Sequence, residues 1–164
     1  MIFSFPKFTL DADVEKTKEY YKMAKPINEN CCNDCRNYLN AIAFLPQEVT
    51  SLFARLGIDM SKATEVYACC ENVDGTISYN GWHHACGRIM HGESAIVQVN
   101  QSHGYFDETK VFPITDDFKI FFHEDCQLLD SNFPLPAIQL EILADMPWVI
   151  SEKHNHPKNM NRRK

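Results

Sequence analysis

The chain has 164 residues, 45% hydrophobic and 23% charged, and a formal net charge of −6. This length bounds it to one domain, or one domain with tails, large enough to bury a core. The composition excludes collagen-like and low-complexity chains, and the acidic balance argues against nucleic acid as a partner.

In chain order, Phe3, Phe5, Phe8 and Leu10 predict an opening strand, with Pro6 placing it at an edge or a bend. Asp11 or Asp13 can cap a helix over Val14–Met23. Residues 25–30 read as a loop. From Cys35, the apolar positions Leu39, Ile42 and Ala43 recur at helical spacing, and Pro46 breaks that helix and opens the next. Val49, Leu52, Phe53 and Leu56 then give one apolar face, and Gly57-Ile58 is a helix stop of the left-handed type. Strand signals dominate afterwards. Residues 65–72 predict a strand, Asp74-Gly75 a hairpin turn, and Asn80-Gly81 a bulge or second turn before Trp82–Met90 continues. Residues 94–100 alternate as a strand, 101–109 are loop-like, and 110–114 and 118–123 are further strands. Ile138, Leu140 and Ile142 alternate with Gln139 and Glu141, the pattern of a half-buried strand. Eleven Phe and six Tyr fit considerable sheet content. The prediction is an α+β domain over residues 1–150, with an antiparallel β-sheet of about five to seven strands packed against two or three N-terminal helices. Trp82 and Trp148 are expected in its core.

Residues 151–164 have almost no apolar surface to bury and are expected to form a disordered basic tail. From Glu152 onward the chain carries five Lys/Arg against one acid, which leaves −10 on the rest. An acidic body suits a basic protein partner.

Seven cysteines is an odd number. The opening decapeptide is broken by Pro6 and Lys7 and lacks the apolar core of a secretory signal, and no run approaches the ~20 apolar residues of a membrane span. The expectation is a cytoplasmic setting with reduced thiols and no membrane partner.

Cys32 and Cys35 form a C-x-x-C pair with Cys31 beside it. Two thiolates at this spacing can hold one side of a tetrahedral zinc ion, and His84 and Cys86 are the candidates to complete a site of Cys32, Cys35, His84 and Cys86. On a helix, however, Cys35 continues the Leu39–Ile42 stripe, so the reading that needs no cofactor makes the pair small core residues. A redox dithiol requires a thiol activated near a helix N-terminus, and Arg36 would assist it. His84 and Cys86, two apart on a strand, would point the same way and could also act as a Cys–His pair. Cys69 and Cys70, adjacent on a strand, would face opposite sides. Glu141 is a carboxylate on a polar strand face without a partner visible in sequence. Asp11-x-Asp13 reads as helix capping and His154-x-His156 as non-specific metal pick-up. Phosphate-binding loops, dinucleotide fingerprints, zinc-protease helices and nucleophile elbows are absent.

Several segments carry a resemblance: Asp13-Val14-Glu15-Lys16-Thr17 with Tyr20-Tyr21, Cys32-x-x-Cys35-Arg36-Asn37, Leu56-Gly57-Ile58-Asp59, Glu65-Val66, Gly81-Trp82-x-His84 and Pro147-Trp148-Val149. Over most of its length the chain resembles a group of small, functionally uncharacterised bacterial proteins, in which an aromatic usually stands where this chain has His83. The resemblance implies a single bacterial cytoplasmic domain and carries no catalytic residue across. The resulting expectation is a non-enzymatic protein-binding domain, in concrete form an immunity-type inhibitor that occludes a toxin. The alternative is a zinc- or thiol-dependent protein using Cys32 and Cys35.

Overall fold

Local signals shape the N-terminal third. The structure is a computed structural model and describes residues 1–100 and 103–159. Where one opening strand was expected there are two, β1 (Ile2–Ser4) and β2 (Thr9–Ala12), because the chain turns at Pro6, closed by Phe5 N–H to Phe8 O at 2.7 Å. Helix α1 (Val14–Met23) is capped by the Asp13 side chain, which accepts the Lys16 N–H. Helix α2 (Asn33–Ala41) starts two residues before Cys35, since Cys32 is its N-cap, and α3 (Gln47–Leu56) starts directly after Pro46. Gly57 ends α3 at φ +79°, and Ile58 N–H returns to Phe53 O at 2.9 Å, the expected left-handed stop.

The strands that follow are β3 (Glu65–Glu71), β4 (Ile77–His91), β5 (Ile96–Asn100), β6 (His103–Phe106), β7 (Phe112–Thr115), β8 (Phe118–His123) and β9 (Ala137–Met146). Seven form one antiparallel sheet in the order β1-β2-β4-β9-β8-β7, with β3 also on β4, while β5 and β6 pair separately. The fold is therefore α+β, with the sheet and the three N-terminal helices as expected. β4 is its axis: its first half pairs with β3, its second half with β2, and its other side with β9.

Three local expectations differ. Asn80-Gly81 neither bulges nor turns, because β4 runs through it unbroken. Gly81 is needed for close approach, since a Cβ there would stand 2.5 Å from Glu65 O. The bulge lies opposite, where the β3 register slips between Ala68 and Cys70, so Cys69 and Cys70 do not alternate as on a regular strand. The stretch expected as a loop from 101 to 109 contains β6, paired with β5; residues 101 and 102 lie outside the described residues.

Register divides the sheet into two faces. One carries Ile77, Tyr79 and His83 of β4, Leu140 and Ile142 of β9, and Phe118 and Phe122 of β8, all buried with Phe53, Leu56 and Tyr38 of the helices. The other carries Trp82, His84, Gln139, Glu141 and His123. Its His84 end is closed by the segment 124–136: Gln127 N–H donates to Gln139 Oε1 at 2.6 Å, and the Phe133 ring lies 5.7 Å from that of His84. This cover buries Gln139 fully, so β9 is not half-buried there. Trp82 is only half-buried, donating from Nε1 to Gln127 O at 3.2 Å, and Trp148 is partly buried against the core edge.

The segment expected to be disordered is docked as far as it is described. Residues 151–159 lie against α2 and the end of β3, with Glu71 N–H donating to Pro157 O and accepting at its carbonyl from Asn159 N–H. Polar and aromatic contacts replace the missing apolar ones: Arg36–Glu152 at 2.9 Å, His156–Asp34 at 2.9 Å, and His154 stacked on His156 beside Trp148. Residues 160–164 lie outside the described residues. Among the described residues no helix is long and apolar enough to cross a membrane.

Candidate functional site

The chemistry of Cys31, Cys32 and Cys35 follows from how α2 begins. A turn closed by Cys31 N–H on Asn28 O, at 3.0 Å, leads into Cys32, which is extended (φ −163°) as an N-cap must be. The Cys32 Sγ accepts the Cys35 N–H at 3.3 Å, in the capping role usually filled by a serine or aspartate oxygen. The same contact brings the Cys32 and Cys35 sulfurs to 3.2 Å. Cys31 joins them, and all three Sγ atoms lie within 4.8 Å of one another. Cys31 and Cys32 are exposed and Cys35 half-buried, so the reading of this pair as core thiols is overturned. The helix continues past Cys35 with Leu39 packed against the core, while Cys31 and Cys32 at its start stay exposed.

The base of the cluster is fixed. Tyr79 O–H donates to Asp34 O at 3.1 Å, and Asn37 Nδ2 donates to Tyr79 Oη and to Pro147 O, each at 3.1 Å. Val149 N–H returns to Asn37 Oδ1 at 2.7 Å. Burial, followed by the hydrogen bond and charge of Cys32, pushes the Cys35 thiol up to about 12. Arg36, expected to assist a thiolate, is turned away to Asn33 Oδ1 (2.8 Å) and Glu152.

His84 and Cys86 do not join this cluster. Tyr79 marks where α2 meets β4, and at ~3.3 Å per strand residue His84 lies ~16 Å and Cys86 ~23 Å farther along. The four-residue site of Cys32, Cys35, His84 and Cys86 is therefore not formed; helical and strand spacing each placed its own pair correctly, but sequence carries no distance between them. Among the described residues Cys31, Cys32 and Cys35 are the group that can hold a metal. Three thiols fill three corners of the tetrahedron that zinc prefers, leaving the fourth to solvent. Cys31, noted in sequence only as the neighbour of the pair, is the member of the site that reading did not include; its adjacency to the N-cap was the available signal.

Cys86 is buried beside α1, its N–H donating to Thr17 Oγ1 at 2.9 Å. His84 belongs to a polar chain across three strands. Gln139 donates from Nε2 to Glu141 Oε1 at 2.6 Å, and its Oε1 takes the Gln127 N–H and lies 3.1 Å from His84 Nε2. His84 then donates from Nε2, and in the neutral form that burial favours by lowering its pKa, Nδ1 accepts from Thr64 Oγ1 at 3.1 Å. Glu141, which had no visible partner in sequence, has His123 Nε2 at 3.1 Å. Both ring nitrogens of His84 are occupied within this chain, so it is unavailable as a ligand or as base to Cys86.

Comparison with protein families, with curated proteins and with solved structures returned no match.

Proposed function

We propose that this protein acts through its thiols, holding a thiophilic metal or metalloid ion at Cys31, Cys32 and Cys35, with zinc the first ion to test. The observation that carries the reading is the gathering of three accessible sulfurs within 4.8 Å at the start of a helix whose base is pinned to the sheet. Reduced protein purified without a polyhistidine tag should take up zinc in equimolar amount, and Cys32→Ser should lose it while Cys86→Ser keeps it. Uptake unchanged in Cys32→Ser would overturn the reading.

A second reading, a bacterial cytoplasmic protein that binds another protein in the manner of an immunity inhibitor, is favoured by the β5–β6 hairpin. Paired apart from the main sheet, it exposes Ile96, Val99, Tyr105 and part of Phe106. Ile96 pairs with Phe106 and Val97 with Tyr105, so these exposed apolar side chains fall on both faces of the hairpin. Exposed apolar groups of this kind suit a contact surface, and the acidic chain would suit a basic partner. Val99→Asp with Tyr105→Asp should abolish binding of a partner identified by co-purification without lowering the melting temperature; unchanged binding excludes the hairpin.

A further inference from the structure

We propose that the Cys31–Cys32–Cys35 cluster is a three-coordinate site selective for trivalent arsenic or antimony, presented as the neutral oxyacid, over divalent zinc. This rests on the thiol reading above and adds the identity of the ion. Three features of the site carry it.

The first is ligand number. The sulfurs of Cys31, Cys32 and Cys35 lie mutually within 4.8 Å, and among the described residues no histidine, carboxylate or fourth cysteine joins them. The nearest acid in sequence, Asp34, is engaged by His156 at 2.9 Å. Zinc strongly prefers a fourth ligand and would have to take it from solvent. Trivalent arsenic bonds to three sulfurs and directs its lone pair at the open side, so a half-open triangle completes its shell.

The second is charge. Three thiolates around a dication leave one net negative charge, added to a chain already at −6. A tris-thiolate of arsenic(III) is neutral and adds none. Soft thiolate donors also match a soft, polarisable centre better than a borderline one.

The third is access. Cys31 and Cys32 are exposed and Cys35 half-buried, so a small uncharged oxyacid can reach all three without opening the core. The step balances without an oxidant or reductant. Arsenous acid, As(OH)3, condenses with three thiols; three As–O bonds break and three As–S bonds form. Each S–H proton leaves with one hydroxide as water, and arsenic and sulfur keep their oxidation states.

The test uses the full chain, reduced and free of tags, with inorganic arsenite and zinc chloride as probes, read by native mass spectrometry and by titration of remaining free thiols. Wild type should bind one arsenic and lose three titratable thiols, and equimolar zinc should not displace it. Cys31→Ser should weaken arsenite binding at least tenfold. The same variant should leave unchanged the binding of a monosubstituted organoarsenic(III) compound, which needs two thiols and is served by Cys32 and Cys35. Arsenite uptake that consumes two thiols, or that is indifferent to Cys31→Ser, would overturn the three-coordinate site. Zinc binding that excludes arsenite would overturn the selectivity while leaving the thiol reading standing. Failure of both probes to bind at Cys32 would remove the thiol reading itself. Exposed Cys31 makes its serine variant safe for folding, which far-ultraviolet circular dichroism checks.

Discussion

Single residues here are constrained by what their backbone or surroundings forbid. Gly57 must hold φ +79°, and an added Cβ would also stand 2.6 Å from Val14 O, so this residue both ends α3 and lets α1 pass close to it. Gly57→Ala should cost at least about 1–2 kcal/mol from the left-handed backbone alone, read as a lowered urea midpoint; an unchanged midpoint would refute it. His83 is fully buried against Phe53, with Nε2 3.2 Å from Met60 O and Nδ1 without a partner. Burial pushes its imidazole down from 6.5 to about 4. The unfolded chain therefore takes up a proton near pH 6.5 that the folded chain refuses until about pH 4. Stability is complete above that window and falls as pH falls through it, by on the order of 3 kcal/mol. His84, also lowered by burial, acts in the same direction. His83→Phe should flatten the profile, because a phenyl ring keeps the contact with Phe53 and takes up no proton. Denaturation at pH values above and below the window checks this, and a slope equal to wild type would disprove it.

At the scale of elements, α1 serves the sheet in an unusual way. β3 leaves β4 at Trp82 and β2 reaches it at Gly87, so the edge of β4 between them has no strand beside it. α1 fills the gap with side chains and its cap: Tyr21 Oη meets both His84 N–H (3.2 Å) and His84 O (3.0 Å), Thr17 Oγ1 accepts the Cys86 N–H, and Asp13 N–H donates to Cys86 O at 2.8 Å. Buried backbone groups need partners, and this is where these find theirs. Thr17→Val keeps the shape but orphans the Cys86 N–H, and should cost about 1–3 kcal/mol, with faster hydrogen exchange at that amide; wild-type protection would show that water replaces the hydroxyl. Elements such as α1, α3 and β8 were legible in sequence because capping, periodicity and β-branched or aromatic runs are local signals. Thr17 and Tyr21 gave no sign of their role, since it depends on β4, more than sixty residues away. The site divides in the same way. Cys32 and Cys35 were visible as a pair because their spacing is helical. The separation of His84 and Cys86 from them, and the pairing of Glu141 with His123, depend on strand register, which sequence does not state.

At the scale of the whole molecule, the segment 151–159 acts as a strap across α2 and the end of β3. Removing residues 151–164 should leave a folded protein that is less stable by about 2 kcal/mol, from the lost partly exposed ion pairs and two backbone hydrogen bonds. Trp148 fluorescence should shift to the red as His154 and the Glu152 carbonyl leave its ring. An unshifted spectrum and unchanged stability would mean that the strap contributes nothing. The central pairing of β4 with β9 joins Ile77 to Met146 and Cys86 to Ala137. During synthesis, then, β4 emerges with its hydrophobic face formed and waits for some fifty to seventy residues before its main neighbour exists. The helices precede both and have no sheet to rest on. Loop closure over such spans slows folding and prolongs exposure of apolar strand surface. In this chain the hazard falls on β4 itself, and chaperone dependence should follow the arrival of residue 146 at the ribosome exit rather than the completion of any helix.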